Sequence, residues 1–217
     1  TVTSEAAYGR ILNLLFMAGA LDIQSGEIGI LVDDNGVESP DGGLVCDVNS
    51  GTATISNGMV YGLTVLEGAA VTVKNGFNHR GRWSVDSGGT LSITGGTFKD
   101  VQFVNSGTIA ISGGSFEKIA VSGASAVSLS ALLANGYAFY STSGAYQSAE
   151  GTELSSVRVQ KHTHNINADG KCTECGAAFG ASVTARGGGA SDASYYDTID
   201  SAFTAAHEGD TVTLLAN

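Results

Sequence analysis

Leu91-Ser92-Ile93-Thr94-Gly95-Gly96 and Ile109-Ala110-Ile111-Ser112-Gly113-Gly114 are one phrase written twice: apolar residues alternating with small polar ones, then a glycine turn. Earlier copies are Ala53-Thr54-Ile55-Ser56-Asn57-Gly58 and Val71-Thr72-Val73-Lys74-Asn75-Gly76, and Val127-Ser128-Leu129 is a degraded last one. The closing apolar residues Ile55, Val73, Ile93, Ile111 and Leu129 follow one another at 18, 20, 18 and 18 residues. Alternation with period two marks a strand with one buried face, and a fixed longer period marks a solenoid. Three short strands and three turns fill such a period, which is one triangular coil of a parallel β-helix, with coils stacked about 4.8 Å apart. The chain is therefore expected to be all-β, a right-handed parallel β-helix over residues 1–136. A β-sandwich with irregular hairpins is the competing arrangement, and it has no need of a constant period.

The register makes further expectations. Ile55, Val73, Ile93, Ile111 and Leu129 should form an interior column, with Thr54, Thr72, Ser92, Ala110 and Ser128 pointing outward. Met59, Phe77, Phe98 and Phe116 should form a second large apolar column, and Lys99 and Asp100 should lie over Glu117 and Lys118 as two opposite-charge pairs. Leu21-Asp22-Ile23 resembles the phrase but stands 32 residues before its next copy, so the acidic run through Asp33, Asp34, Asn35, Glu38 and Asp41 reads as an insertion bulging from a coil. That run lacks the glycine and glutamate placement of an EF-hand loop, which favours a solvated loop over a calcium site. Before it, Ser4 could cap a short helix, or Ile11 to Met17 could form the first strands.

The remainder of the chain divides by pattern. Tyr137 to Gln147 with Ser143-Gly144 reads as a hairpin, and with Val157-Arg158-Val159 it forms a lid over 137–160 on the last coil, whose open edge would otherwise invite another strand. Residues 161–179 carry His162-Thr163-His164 and Cys172-Thr173-Glu174-Cys175-Gly176, four metal-ligand types within 14 residues. A Cys-x-x-Cys-Gly knuckle with two histidines suits structural zinc, which takes thiolate and imidazole in a tetrahedron. The alternatives are a local Cys172–Cys175 disulfide with surface histidines, or neither. Cys46 reads as a small buried hydrophobe. Residues 180–194, rich in glycine, serine and alanine, read as a flexible link. In 195–217, Ile199, Ala202, Phe203 and Ala206 share one helical face behind an Asp197 cap, and a strand from Thr211 to Leu215 follows. That strand is expected to pair with the first coil of this molecule or of a neighbour.

Composition narrows function. Of 217 residues 10 are lysine or arginine and 21 aspartate or glutamate, a net charge of −11, which leaves no cationic surface for nucleic acid or an acidic membrane. Glycine is 31 residues and proline one, a turn-rich rather than collagenous composition. No stretch reaches the roughly 18 apolar residues of a membrane span, so a leader or wall anchor would lie outside this sequence.

The glycine-rich repeat, then Ala131-Leu132-Leu133-Ala134-Asn135-Gly136-Tyr137-Ala138-Phe139, then His-x-His and Cys-Thr-Glu-Cys-Gly, resembles the large modular cell-surface proteins of Gram-positive, often gut-dwelling, bacteria. The segment from Tyr196 to Leu215 is similar to the opening of a further β-helix in that group. The resemblance implies an extracellular, cell-surface location and a role as adhesin or stalk. A non-enzymatic surface module facing glycans or host proteins is the first expectation. Its candidate sugar platform is Trp83 with Arg80, Arg82 and Tyr61, although Trp83 reads more readily as a core or cap residue. The alternative is a polysaccharide lyase or glycosidase built on the β-helix, using Asp86, Asp100 and Glu117, since glycoside hydrolysis needs two carboxylates about 5–9.5 Å apart.

Overall fold

In a computed structural model, which describes residues 10–11, 13–16, 19–29, 31–32, 38–39, 43–46, 51–78, 81–122, 128–167, 169–189 and 192–215, the repeat folds as a parallel β-solenoid. Its first face is a five-stranded parallel sheet of Gly19–Ile23, Gly51–Ile55, Ala70–Val73, Thr90–Ile93 and Thr108–Ile111. The ladder sets Ile23, Ile55, Val73, Ile93 and Ile111 in one column and Leu21, Ala53, Val71, Leu91 and Ile109 in another. Both columns are buried, while Thr54, Thr72, Ser92 and Ala110 between them are not. Burying each Val, Leu or Ile stabilises the coil by about 1.5–3 kcal/mol, and stacking them rung on rung is what converts the sequence period into a fold.

The other faces complete each coil. On the second, Met59 pairs with Phe77 and Phe98 with Phe116. The expected aromatic column slips between them, because the 20-residue coil sets Phe77 against Thr97 and Asn78 against Phe98. On the third face Leu14, Leu44, Leu63, Trp83, Phe103 and Val121 follow one another in register. Strands Thr97–Asn105 and Ser115–Ser122 run continuously round the corner from the second face to the third. Aromatic rings fill the interior: Trp83 meets Phe98 edge-on at 5.6 Å and Phe103 at 6.1 Å, and Phe116 meets Phe139 of the lid at 6.4 Å.

The glycine pair that ends the last two full phrases has two separate reasons. A Cβ on Gly113 would fall onto the carbonyl oxygen of Thr94 in the rung below. Gly114 has φ +106, a left-handed backbone that side chains other than glycine's disfavour.

Several expectations are corrected at the ends. Leu129 does not continue the Ile111 column: it opens a 3-10 turn, Leu129–Leu132, and Leu133 bridges Ile111 instead. Of the two readings left open at the start, the first strands are found, at Arg10–Ile11 and Asn13–Phe16, while the Ser4 cap lies outside the described residues. The insertion holds a short antiparallel pair, Leu31–Val32 with Glu38–Ser39, and Asp33, Asp34, Asn35 and Asp41 lie outside the described residues. Cys46 is on a third-face strand between Phe16 and Val65 in register. The lid strand Glu153–Lys161 pairs antiparallel with Ser115–Ser122 on one side and with Tyr137–Ser141 on the other, so the last rung's edge is satisfied. Lys118 makes its ion pair with Glu153 of this lid at 3.1 Å rather than with Asp100, its register partner. With both side chains about half exposed, that pair contributes at most ~1 kcal/mol.

Residues 1–161 form one compact unit and 162–217 a second. In the second, the stretch expected as a flexible link contains strand Ala181–Thr184, which is the centre of a three-stranded antiparallel sheet between Ser194–Tyr196 and Thr211–Leu214. The Thr211–Leu214 strand thus finds its partner within its own unit, not in a first coil. The alternating Ala181-Ser182-Val183 supplies the reason: Ala181 and Val183 pack against Ala202 of the helix Ile199–Ala205. Thr198, not Asp197, caps that helix, its hydroxyl accepting from the Ser201 amide. Phe203, expected on the packed face, is exposed.

Candidate metal centre

The knuckle is built from two turns. Asn167 Oδ1 accepts from the amides of Asp169 and Lys171 at 3.0 Å each, which folds 164–167 back onto 170–172, and Ile166 bridges Cys172. Gly176, at φ +73, donates its amide to the Cys172 carbonyl at 2.9 Å, curling the Cys-x-x-Cys segment so that both sulfurs face one side.

The histidines meet them there. Cys172 Sγ lies 3.5 Å from His162 Nε2 and Cys175 Sγ 3.6 Å from His164 Nδ1. All four ligand atoms lie within 4.8 Å of one another, close enough to hold one metal ion. The sulfurs are free thiols, each directed at an imidazole, so the local disulfide is not the arrangement found. His162 and Cys172 are buried, and His164 and Cys175 half-buried.

Electrostatics prepare the donors. Burial first, then the neighbouring His162, lowers His164 below the ordinary imidazole value and favours its neutral, lone-pair form. Burial pushes the Cys172 thiol up, but amide hydrogen bonds from Cys175, Glu174 and Asn165 outweigh it and hold the thiol below its usual range. Cys175 is raised, chiefly by burial. The second nitrogen of His162 is also addressed: Nδ1 stands 3.8 Å from Glu174 Oε2. The ring of His164 packs on Phe179 at 4.7 Å and Tyr195 at 5.5 Å, and the Tyr195 hydroxyl donates to the His164 carbonyl. Glu174, Phe179 and Tyr195 had no role in the sequence reading. Only for Glu174, lying inside the Cys-x-x-Cys loop, did the sequence offer a signal.

The proposed sugar platform is not assembled. Trp83 is 2 % exposed, its indole N–H donating to the Tyr61 carbonyl at 3.2 Å, and Tyr61 is itself buried. Arg82 is exposed, and Arg80 lies outside the described residues. The spacing of 20 residues from Leu63 to Trp83 and again from Trp83 to Phe103 was the available sign that Trp83 belongs to an interior column. Of the carboxylates named for glycoside chemistry, Asp100 is the register partner of Lys118 and so lies beside Glu117 on the next rung, whereas Asp86 stands apart. Asp86 follows strand Gly81–Val85, whose start is level with Val101, the residue after Asp100. A five-residue strand rise separates them by about 16 Å, beyond the span glycoside hydrolysis uses.

Solenoid and four-donor cluster together define a β-solenoid protein with a second unit whose two histidines and two cysteines lie close enough to hold a metal ion. No family model matches the chain, and no curated protein or solved structure matches it either. Among the described residues no helix is long and apolar enough to cross a membrane.

Proposed function

We infer that the chain is a non-catalytic extracellular module of a cell surface, a stalk or adhesin-like element that meets glycans or host proteins, and that its second unit is held by structural zinc. The observation that carries this reading is the closed donor set. With Zn–S about 2.3 Å and Zn–N about 2.0–2.1 Å, the sulfur–nitrogen edge of a tetrahedron is about 3.6 Å. The two observed sulfur–nitrogen separations, 3.5 and 3.6 Å, match that edge. Two sulfurs and two nitrogens fill all four positions, leaving none for water or substrate, which is the character of a structural rather than a catalytic site. Bound there, zinc would cross-link 162–164 to 172–175 in a unit whose apolar core is small. The solenoid supports the display role through its form: a stiff stack of rungs whose outward row on the first face is Asp22, Thr54, Thr72, Ser92 and Ala110, all but the first short and uncharged.

Metal analysis of the purified chain tests the zinc, with one equivalent expected. A glycan array probed with the whole chain, followed by an assay for released sugar, tests the role. Retention of a glycan without cleavage is the expected result, and turnover of a polysaccharide would overturn it.

A further inference from the structure

The corner at which the last two long strands bend has features that the core and the metal centre do not use. The ladder between Thr97–Asn105 and Ser115–Ser122 pairs Phe98 with Phe116 and Asp100 with Lys118, passing over Lys99 and Glu117. The ladder from Ser115–Ser122 to the lid likewise passes over Glu117 and Ser156. Ser156 has φ 54, and among the described residues it is the one non-glycine in the left-handed region. An L-residue adopts that backbone when its surroundings impose it, and such positions gather at binding sites.

Over this interrupted row opens a groove of about 480 Å³. Phe98, Phe116 and Val157, whose side chains are buried, lie beneath it, and Thr142 of the lid hairpin contributes to its wall together with Ser156. Lys99, Glu117 and Arg158 supply the charge. Arg158 is exposed, reaches toward Gly144, and has no ion-pair partner among the described residues. The adjoining groove, about 330 Å³, adds Arg82 and Lys118 against Asp100 and Glu153. Four of the chain's ten basic residues therefore line one corner, against three acidic ones, in a protein of net charge −11.

We propose that the groove walled by the lid binds a carboxylate-bearing sugar of an acidic polysaccharide, with Arg158 and Lys99 receiving the carboxylate. This rests on the reading of the chain as a glycan-facing module and names the class of glycan. An unpaired guanidinium presents two parallel N–H groups that match a carboxylate, and this preference is geometric as well as electrostatic. Glu117 and the hydroxyls of Thr142 and Ser156 match sugar hydroxyls. The volume lies in the lower part of the range of small-molecule sites, enough for one or two rings. The chain's overall negative charge does not forbid the ligand, because at physiological salt charges beyond about 8 Å are largely screened and the local cations decide.

The test is titration calorimetry of the whole zinc-loaded chain with tetragalacturonate, beside its methyl ester, which has the same shape without the charge. The acid is expected to bind, more weakly as salt rises, and the ester at least tenfold more weakly. Arg158→Gln and, independently, Lys99→Gln are each expected to lose at least tenfold, Arg158→Lys to lose less, and Lys74→Gln, an exposed cation elsewhere on the solenoid, to bind as the parent does. Circular dichroism establishes that each variant is folded. Equal binding of acid and ester, unchanged affinity in both glutamine variants, or no binding of the acid overturns the proposal. If neutral glycans bind on the array while tetragalacturonate does not, the acidic-sugar site fails and the surface-module reading stands.

Discussion

Phe98 and Phe116, one coil apart in the sequence, stack with ring centroids 4.7 Å apart and planes inclined by 10°. Each is 1 % exposed, and Phe116 in turn meets Phe139 of the lid edge-on. The stack thus links two rungs and the cap in one packed unit. Phe116→Ala is expected to destabilise the solenoid by about 3–5 kcal/mol. Trp83, the chain's one tryptophan and buried 5.6 Å from Phe98, reports the transition by fluorescence in urea. A loss under about 1 kcal/mol would mean the rings are not packed as described.

Gly113 tests the spacing of the rungs. Its missing side chain leaves room for the carbonyl of Thr94, so Gly113→Ala must push two coils apart at one corner. Overpacking of this kind costs about 1–3 kcal/mol. The same substitution at Gly136 meets no neighbouring atom within 4 Å, but its φ of +77 still strains alanine, so Gly136→Ala isolates the backbone contribution. A lower urea midpoint for Gly113→Ala than for Gly136→Ala is the expected order.

Metal removal should act on one unit alone. The second unit's core is Ala181, Val183 and Ala202 with a few half-buried neighbours, whereas the solenoid's is continuous from Leu21 to the lid. A strong chelator, or Cys172→Ser, is expected to unfold residues 162–217 and leave the solenoid transition in place. Hydrogen exchange resolved by segment measures this, and equal protection of 181–184 with and without metal would refute it.

Glu174 positions a ligand. Its carboxylate, 3.8 Å from His162 Nδ1, favours the tautomer that leaves Nε2 free to face Cys172. Glu174→Gln should weaken zinc about 10–100-fold in competition with a chromophoric chelator, without changing the stoichiometry. His162→Gln, which removes the ligand itself, should lose more.

Asp210 gives the second unit an acid limit. It accepts from the amides of His207 and Arg186 at 2.9 and 3.1 Å, and these bonds, the His207 one foremost, hold its carboxyl below the ordinary range. A depressed folded pKa favours the ionised form in the native state. Its stabilising effect is therefore complete above the ordinary carboxylate pKa and lost as pH falls through the lower folded value. The stability difference between the parent and Asp210→Asn should stay constant from neutral pH down to about pH 5 and shrink below it. A difference that grew on acidification would have the wrong sign.

The repeat was legible because its information is local and periodic. Ile93 and Ile111 announce their contact by standing one coil apart, and one register then fixes the first face. Where coil length changed, the same arithmetic failed: Phe77 slipped against Thr97, and Leu129 gave way to Leu133. The four donors were equally legible, since His-x-His and Cys-x-x-Cys-Gly each state their own spacing, but which sulfur faces which nitrogen was not.

By itself, then, the sequence determined the alternation that buries one side of each strand, the approximate coil period and the identity of the four clustered histidines and cysteines, because all three are relations between residues close in the chain or repeated along it. Tertiary structure alone decided that 181–184 is a central strand and not a link, and that Lys99, Glu117 and Arg158 share a groove with Thr142. Those outcomes depend on which surfaces remain to be covered after the coils have stacked. A lid strand running antiparallel to the last rung brings residues together at separations that no period encodes.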